Sequence, residues 1–232
     1  MEPLSELQTI FNMMIRDKIP EKNIPKLIIM YGSPASGKGF LTDHFLKTND
    51  PVPNTSTIHI DIDKVISLLS SYQKEITSCK EYFSSLPSSH PIDQKFITLA
   101  NEIYSKHRTT KDKNSFSPED LTTQLISHAI KNKLNIIHET TGNTIEWLLD
   151  PLIKNARTAA YTIELIYLTA KTETIMDRLL SRARHLGRYP DPLYVKQTIT
   201  NAQHNLPSLA PSVDHISIYE NNLTPIKVKT LK

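Results

Sequence analysis

Eight consecutive residues, Gly32-Ser33-Pro34-Ala35-Ser36-Gly37-Lys38-Gly39, hold three of the five glycines in the chain together with a lysine. A phosphate cradle needs backbone N–H groups turned inward, glycines that let the backbone approach, a helix N-terminus behind them, and a lysine that reaches the terminal phosphates. The spacing has the form of a P-loop, and Gly32, Ser33, Pro34, Ala35, Ser36, Gly37, Lys38, Gly39 and Phe40 are the expected nucleotide contacts. One position departs from the pattern. The residue after the lysine usually supplies a hydroxyl ligand to Mg2+; here it is Gly39, and Phe40 does not replace it.

Three further groups could work beside such a loop. Asp61 and Asp63 flank Ile62. If extended chain persists through them, both project to one side. A carboxylate facing a γ-phosphate can take a proton from a substrate hydroxyl or position a metal. The competing reading is a helix cap, Asp63 preceding Lys64-Val65-Ile66, and the two roles are compatible. Glu139 heads Glu139-Thr140-Thr141-Gly142. There an acid would sit beside the metal's water while Thr141 and Asn143 touch substrate, although a plain strand-to-helix turn accounts for these residues equally well. Arg178, Arg182, Arg184, His185 and Arg188 gather around Gly187. Arginines on a mobile segment stabilise the charge that phosphoryl transfer spreads over oxygen atoms; a solvated basic helix end is the alternative.

The elements that must position these groups follow from periodicity. Residues 26–31 form a near-continuous apolar run before the glycines, as in a strand buried on both faces. Further strands are expected at 57–62, 134–138, 161–169 and 215–219, with an edge strand at 226–231. Helices are expected at 4–16, 38–47, 64–80, 93–107, 118–131, 143–157, 171–185 and 193–205. Ser117-Pro118-Glu119-Asp120 is a strong helix start, with a cap, a proline in the first turn and acids near the positive end. Strand alternating with helix implies an α/β fold: a three-layer sandwich with a mostly parallel sheet of five to six strands. Ligands then lie beyond the C-terminal strand ends, where all three groups fall. The reading is one kinase-like domain over 1–232, a helical insertion at 67–118 with a Ser- and Pro-rich loop at 84–91, and a lid at 181–192.

Composition narrows the class. The net charge of +3 over 232 residues is slight, and no basic-aromatic stripe is evident, which counts against a nucleic-acid partner. No apolar run approaches a membrane span. The N-terminal acids replace the positive charge of a signal peptide, so a cytoplasmic location is expected, with export by an unrecognised route left open. Cys79 is the lone cysteine and the nine histidines show no metal-ligand spacing, which excludes an internal disulfide framework and a cysteine zinc site.

In order and placement these motifs resemble the zeta-toxin family of P-loop kinases, from about Lys26 to Asn222. That family has a P-loop, an Asp-x-Asp after strand two, Glu-Gly-Thr-Gly after strand three, and two lid arginines. The resemblance implies transfer from ATP or GTP, with Mg2+, to a hydroxyl of a small molecule, best known for UDP-N-acetylglucosamine. It makes Asp63 the general base and Lys38, Arg182 and Arg188 the γ-phosphate clamp. It makes Thr141 a substrate contact; by their placement at the strand ends Asp61 and Asn143 are expected beside it, with Asp63 and Glu139 holding the metal, the latter through water. It also admits an antitoxin-like protein partner. Two positions differ: Gly39 replaces the family's Ser or Thr, as in adenylate kinases, and the family's substrate-binding acid falls near Thr123. A nucleoside monophosphate kinase, a polynucleotide-end kinase and a nucleotide-binding protein without catalysis remain alternatives.

Overall fold

The computed structural model describes residues 5–87, 92–112 and 116–231. Its centre is strand β1 (Lys26–Tyr31), whose residues 27–31 are fully buried. Alternate side chains of β1 feed two different cores. Leu27, Ile29 and Tyr31 point into the larger one, and Ile28 and Met30 into a smaller one with Leu41, Phe45, Val52, Ile137, Ile166 and Leu168. A strand apolar on both sides can be stable only with helices over both faces, which is the three-layer arrangement the sequence implies. Each such Ile or Leu contributes about 1.5–3 kcal/mol by leaving water.

The sheet contains β1, β2 (Thr57–Ile60), β3 (Asn135–Thr140), β4 (Thr162–Thr169), β5 (His215–Asn221) and β6 (Pro225–Thr230), in the order β2-β3-β1-β4-β5-β6. All neighbours are parallel except β5 and β6. Helix α1 (Glu6–Ile15) precedes β1, and α2 (Lys38–Thr48) leaves the glycine loop to cover the smaller core. From β1 the chain runs outward to β2, returns to β3, then crosses to β4 on the far side of β1. The crevice lies where that direction reverses, at the C-terminal ends of β1, β3 and β4.

Between β2 and β3 come α3 (Ile62–Ser67), α4 (Ser70–Ser85), α5 (Gln94–Thr109) and α6 (Pro118–Lys131). The helix expected at 64–80 is thus two helices, divided where Leu69 turns extended (ψ 122°). Residues 88–91 of the Ser- and Pro-rich loop lie outside the described residues. Helix α6 starts as its sequence dictates: Ser117 and Asp120 exchange hydrogen bonds in a capping box, and Pro118 occupies the first turn.

The helix expected at 143–157 is a wide turn over Leu148–Ile153 followed by the short α7 (Lys154–Thr158). Pro151 explains this, because it lacks an N–H and pushes Asp150 to extended geometry (φ −139°, ψ 115°). Helix α8 (Thr172–Leu186) then packs on α4, and α9 (Pro192–Leu209) leads towards β5. Among the described residues no helix is long and apolar enough to cross a membrane.

Candidate active site

The glycine loop is built to be rigid. Gly32 has φ +143°, and a side chain there would meet the Leu168 carbonyl oxygen at 2.2 Å. Gly37 has φ +104° and lies against the amide of Asn221, whose Nδ2 donates to the Ser36 carbonyl at 2.9 Å. Asn221 ends β5, so the far side of the sheet braces the loop. Lys38 Nζ donates to the carbonyls of Gly32 (2.8 Å) and Ser33 (3.0 Å). Burial pushes its pKa down, while the charges of Glu139, Asp61 and Asp63 act in the opposite sense.

Asp61 and Asp63 do not sit on a continued strand. β2 ends at Ile60; Asp61 caps α3, its Oδ1 accepting from the Asp63 N–H at 2.9 Å, and Asp63 lies in the first helical turn. The cap is Asp61, not Asp63, because the chain turns helical two residues earlier than the alternation suggests. Asp63 is free to face the cleft. Its carboxylate accepts from Tyr104 Oη at 2.7 Å and pairs with Arg182 at 3.2 Å and Arg188 at 2.5 Å. The Arg188 guanidinium also stacks 3.5 Å over the Tyr104 ring. Burial alone would raise the Asp63 pKa; Arg188 and Arg182 outweigh it and hold the carboxyl well below its ordinary value.

The other basic residues near Gly187 divide by role. Arg178 donates to the Asn221 carbonyl (2.9 Å) and side chain (3.2 Å), tying α8 to the brace of the loop. Arg184 donates to the Leu86 carbonyl and is a structural tie.

Glu139 ends β3 beside β2. His59 pairs in register with Ile137, so His59 and Glu139 share a face of the sheet, and His59 Nε2 lies 2.9 Å from Glu139 Oε1. Burial would raise the Glu139 pKa; the hydrogen bond and charge of His59 prevail and lower it. Burial first, then Glu139 and Asp63, push the Asp61 carboxyl up to about 6. Thr141 lines the cleft, as does Asn143, which accepts from Asn201 at 2.8 Å.

Lys38, Asp61, Asp63, Glu139, Thr141, Asn143, Arg182 and Arg188 line one cleft of about 1270 Å³. Its lining also includes Gly37, Gly39, Phe40, Tyr104 and Arg178, together with Arg108, Glu119, Thr123, Trp147 and Tyr194. Arg108 and Glu119 in this lining are paired at 2.6 Å. Glu119 stands one turn before Thr123 on α6, so the cleft has an acid near the position expected for the family's.

The donors for a metal differ from those expected. The side-chain atoms that converge, all within 4.8 Å of one another, belong to His59, Asp61 and Glu139. Glu139 is in this set and Asp63 is not, because both arginines and Tyr104 hold the Asp63 carboxylate. Mg2+ demands near-octahedral oxygen ligation. A set containing imidazole nitrogen, with no hydroxyl at Gly39, does not fit it.

Sequence reasoning missed three residues: His59, Tyr104 and Asn221. His59 had a signal, since it precedes Asp61 by two residues in an alternating strand.

A family model described as Zeta toxin matches residues 12–86 and 94–226. No curated protein sequence matches the chain. Among solved structures, a chain of the PezAT chromosomal toxin-antitoxin system of Streptococcus pneumoniae superposes with a TM-score of 0.60 at 15% identity, covering 99% of this chain and 82% of that one. A chain of the AvrRxo1-ORF1:-ORF2 complex with ATP gives 0.51 at 13% identity, over 97% and 66% of the two chains. The solved structures share the fold; the family match spans the glycine loop, both aspartates, Glu139 and the arginine segment. The chain belongs to the zeta toxin family of P-loop phosphotransferases.

Proposed function

We propose that this protein transfers the γ-phosphoryl group of ATP to a hydroxyl of a small metabolite, with Asp63 as general base. The observation that carries this reading is the Asp63 carboxylate, held by Tyr104, Arg182 and Arg188 at the mouth of the glycine loop. Transfer to a phosphate acceptor needs no base there; transfer to a hydroxyl does. The acceptor oxygen attacks the γ-phosphorus, the bond to the β–γ bridging oxygen breaks, and the acceptor proton passes to Asp63. Lys38 exchanges the loop carbonyls for phosphate oxygens, while Arg182 and Arg188 turn from Asp63 to the transferring group. Losing those partners raises the basicity of Asp63 as the reaction needs it.

ATP is the proposed donor and GTP its competitor; support for ATP is the AvrRxo1 structure solved with that nucleotide. A nucleotide sugar such as UDP-N-acetylglucosamine is the proposed acceptor class, supported by family membership and by the polar Arg108 and Glu119 in the lining of the cleft. An antitoxin-like protein partner is proposed because the PezAT and AvrRxo1 neighbours come from structures of a toxin-antitoxin system and of a two-protein complex.

The test is transfer of labelled γ-phosphate into a metabolite extract by the parent, Lys38→Ala and Asp63→Asn proteins. The parent transfers label, Lys38→Ala does not, and Asp63→Asn falls about 1000-fold, within the range of a lost general base. Asp63→Asn activity within tenfold of the parent would make the acceptor a phosphate. A parent no more active than Lys38→Ala would leave a nucleotide-binding protein without catalysis.

A further inference from the structure

The structure assigns His59, Asp61 and Glu139 a role that the P-loop pattern does not contain: a site for a first-row transition-metal dication of the Mn2+–Co2+ kind, bound directly through imidazole nitrogen. This rests on the phosphotransferase reading only for what the ion would serve, not for whether it binds.

Three observations converge. The first is geometry. Ligand atoms at about 2.1 Å from a metal and at right angles to each other stand about 3 Å apart. His59 Nε2 and Glu139 Oε1 are 2.9 Å apart, on adjacent parallel strands whose register puts both on one face. Asp61 follows His59 by two residues, and its carboxylate lies within 4.8 Å of the other two ligand atoms. The second is charge. Asp61 and Glu139 are neighbouring acids with little exposure, and no lysine or arginine forms an ion pair with either among the described residues. Lys38 is near enough to act on both charges, but its ammonium donates to the Gly32 and Ser33 carbonyls, and Arg182 and Arg188 are committed to Asp63. The third is space. A side chain at Gly39 would meet nothing within 4 Å except Glu139 Oε1 at 3.8 Å. The gap left by the absent loop hydroxyl therefore opens onto this cluster, between it and the phosphate cradle.

First-row transition dications accept imidazole nitrogen, with affinity rising from Mn2+ to Co2+, while Mg2+ prefers oxygen alone. The chain has thus moved a metal ligand from the helix that follows the loop to the second strand. With the ligands fixed on β2, β3 and the cap of α3, the ion can bind before any nucleotide arrives.

The experiment is metal binding to the full chain, stripped with chelator and free of nucleotide, using MnCl2, CoCl2 and MgCl2 separately in calorimetry. Pulsed electron paramagnetic resonance of the Mn2+ sample then looks for coupling to imidazole nitrogen. One Mn2+ or Co2+ should bind per chain at least tenfold tighter than Mg2+, with nitrogen coupling present. His59→Gln should lose at least tenfold in Mn2+ affinity and all nitrogen coupling, with Mg2+ affinity changed less than threefold. Gly39→Ser should narrow the Mn2+ preference by restoring an oxygen ligand. Absent nitrogen coupling, Mg2+ bound as tightly as Mn2+, or His59→Gln with unchanged Mn2+ affinity each overturns the assignment. Should His59→Gln fail to fold, the nitrogen coupling of the parent still decides. Failure here with labelled transfer intact removes the metal site alone; Mn2+ binding without any transfer removes the proposed function alone.

Discussion

The glycine loop and the last parallel strand are coupled through a single amide, and that coupling has a measurable size. Replacing Gly37 by alanine would put a Cβ 1.8 Å from Asn221 Nδ2. Asn221 is 3% exposed, donates to the Ser36 carbonyl and accepts from Arg178, so its amide cannot swing aside without losing both partners. Such overpacking costs about 1–3 kcal/mol, and placing alanine at positive φ adds about 1–2 kcal/mol. Asn221→Ala alone forfeits the brace, about 1–3 kcal/mol. The double variant keeps the φ strain and the lost brace but has no collision. It should therefore be more stable than the sum of the singles predicts by about 1–3 kcal/mol, the size of the collision. Urea denaturation of the four proteins measures this, and ATP affinity by calorimetry follows the same cycle, with Gly37→Ala at least tenfold weaker than the parent. Additivity within about 0.5 kcal/mol would refute the coupling, and with it the view that β5 sets the shape of the phosphate cradle.

Other outcomes follow from single contacts. Tyr104→Phe removes the 2.7 Å bond to Asp63 but keeps the ring under Arg188; kcat should fall about 10–150-fold, the worth of about 1.5–3 kcal/mol from a hydrogen bond to a charged group, with ATP affinity within about twofold. An unchanged kcat would mean that Tyr104 does not orient the base. Gly39→Ser should leave the melting temperature within about 2 °C of the parent, because open space surrounds the position; a larger loss in thermal unfolding would contradict that. Burial would raise the Asp214 pKa, but the Ile163 N–H and Arg157 outweigh it and lower it. A lowered carboxyl stabilises the fold above its unfolded pKa near 4 and loses that contribution as pH falls through the folded value. Asp214→Asn should therefore be less stable than the parent by about 1 kcal/mol at pH 7, after allowance for solvent, with the gap closing below pH 4. Urea midpoints from pH 7 to pH 3 test this, and a pH-independent gap would refute it.

What the sequence discloses and what it hides divide by distance along the chain. The glycine loop, the alternation of strand with helix and the capping box of α6 are local patterns, each set by nearby residues, and each is readable. The aspartate pair was misjudged because two local rules compete at Asp61: strand alternation would carry on, while a carboxylate ahead of Ile62 favours a helix start. The cap prevailed, and Asp63, in the first turn of α3, faces the arginines. Arg184 and Arg188 look alike in sequence. One is tied to the Leu86 carbonyl and the other lies in the break after Gly187, facing Asp63. Tyr104 and Asn221 reach the site from 41 residues beyond Asp63 and 185 beyond Ser36; only tertiary packing reveals contacts of that span.

The separation between Ser36 and Asn221 also sets an order in time. A ribosome adds roughly 5–20 residues per second, so the 185 residues between loop and brace take about 10–40 s to make. Throughout that interval the nascent glycine loop lacks the amide that fixes its curvature, and β5 has yet to join the sheet. Asp63, Arg182 and Arg188 all precede Asn221 in the chain, so they are made before the brace is. The glycine loop comes early in sequence, and the amide that braces it comes near the end.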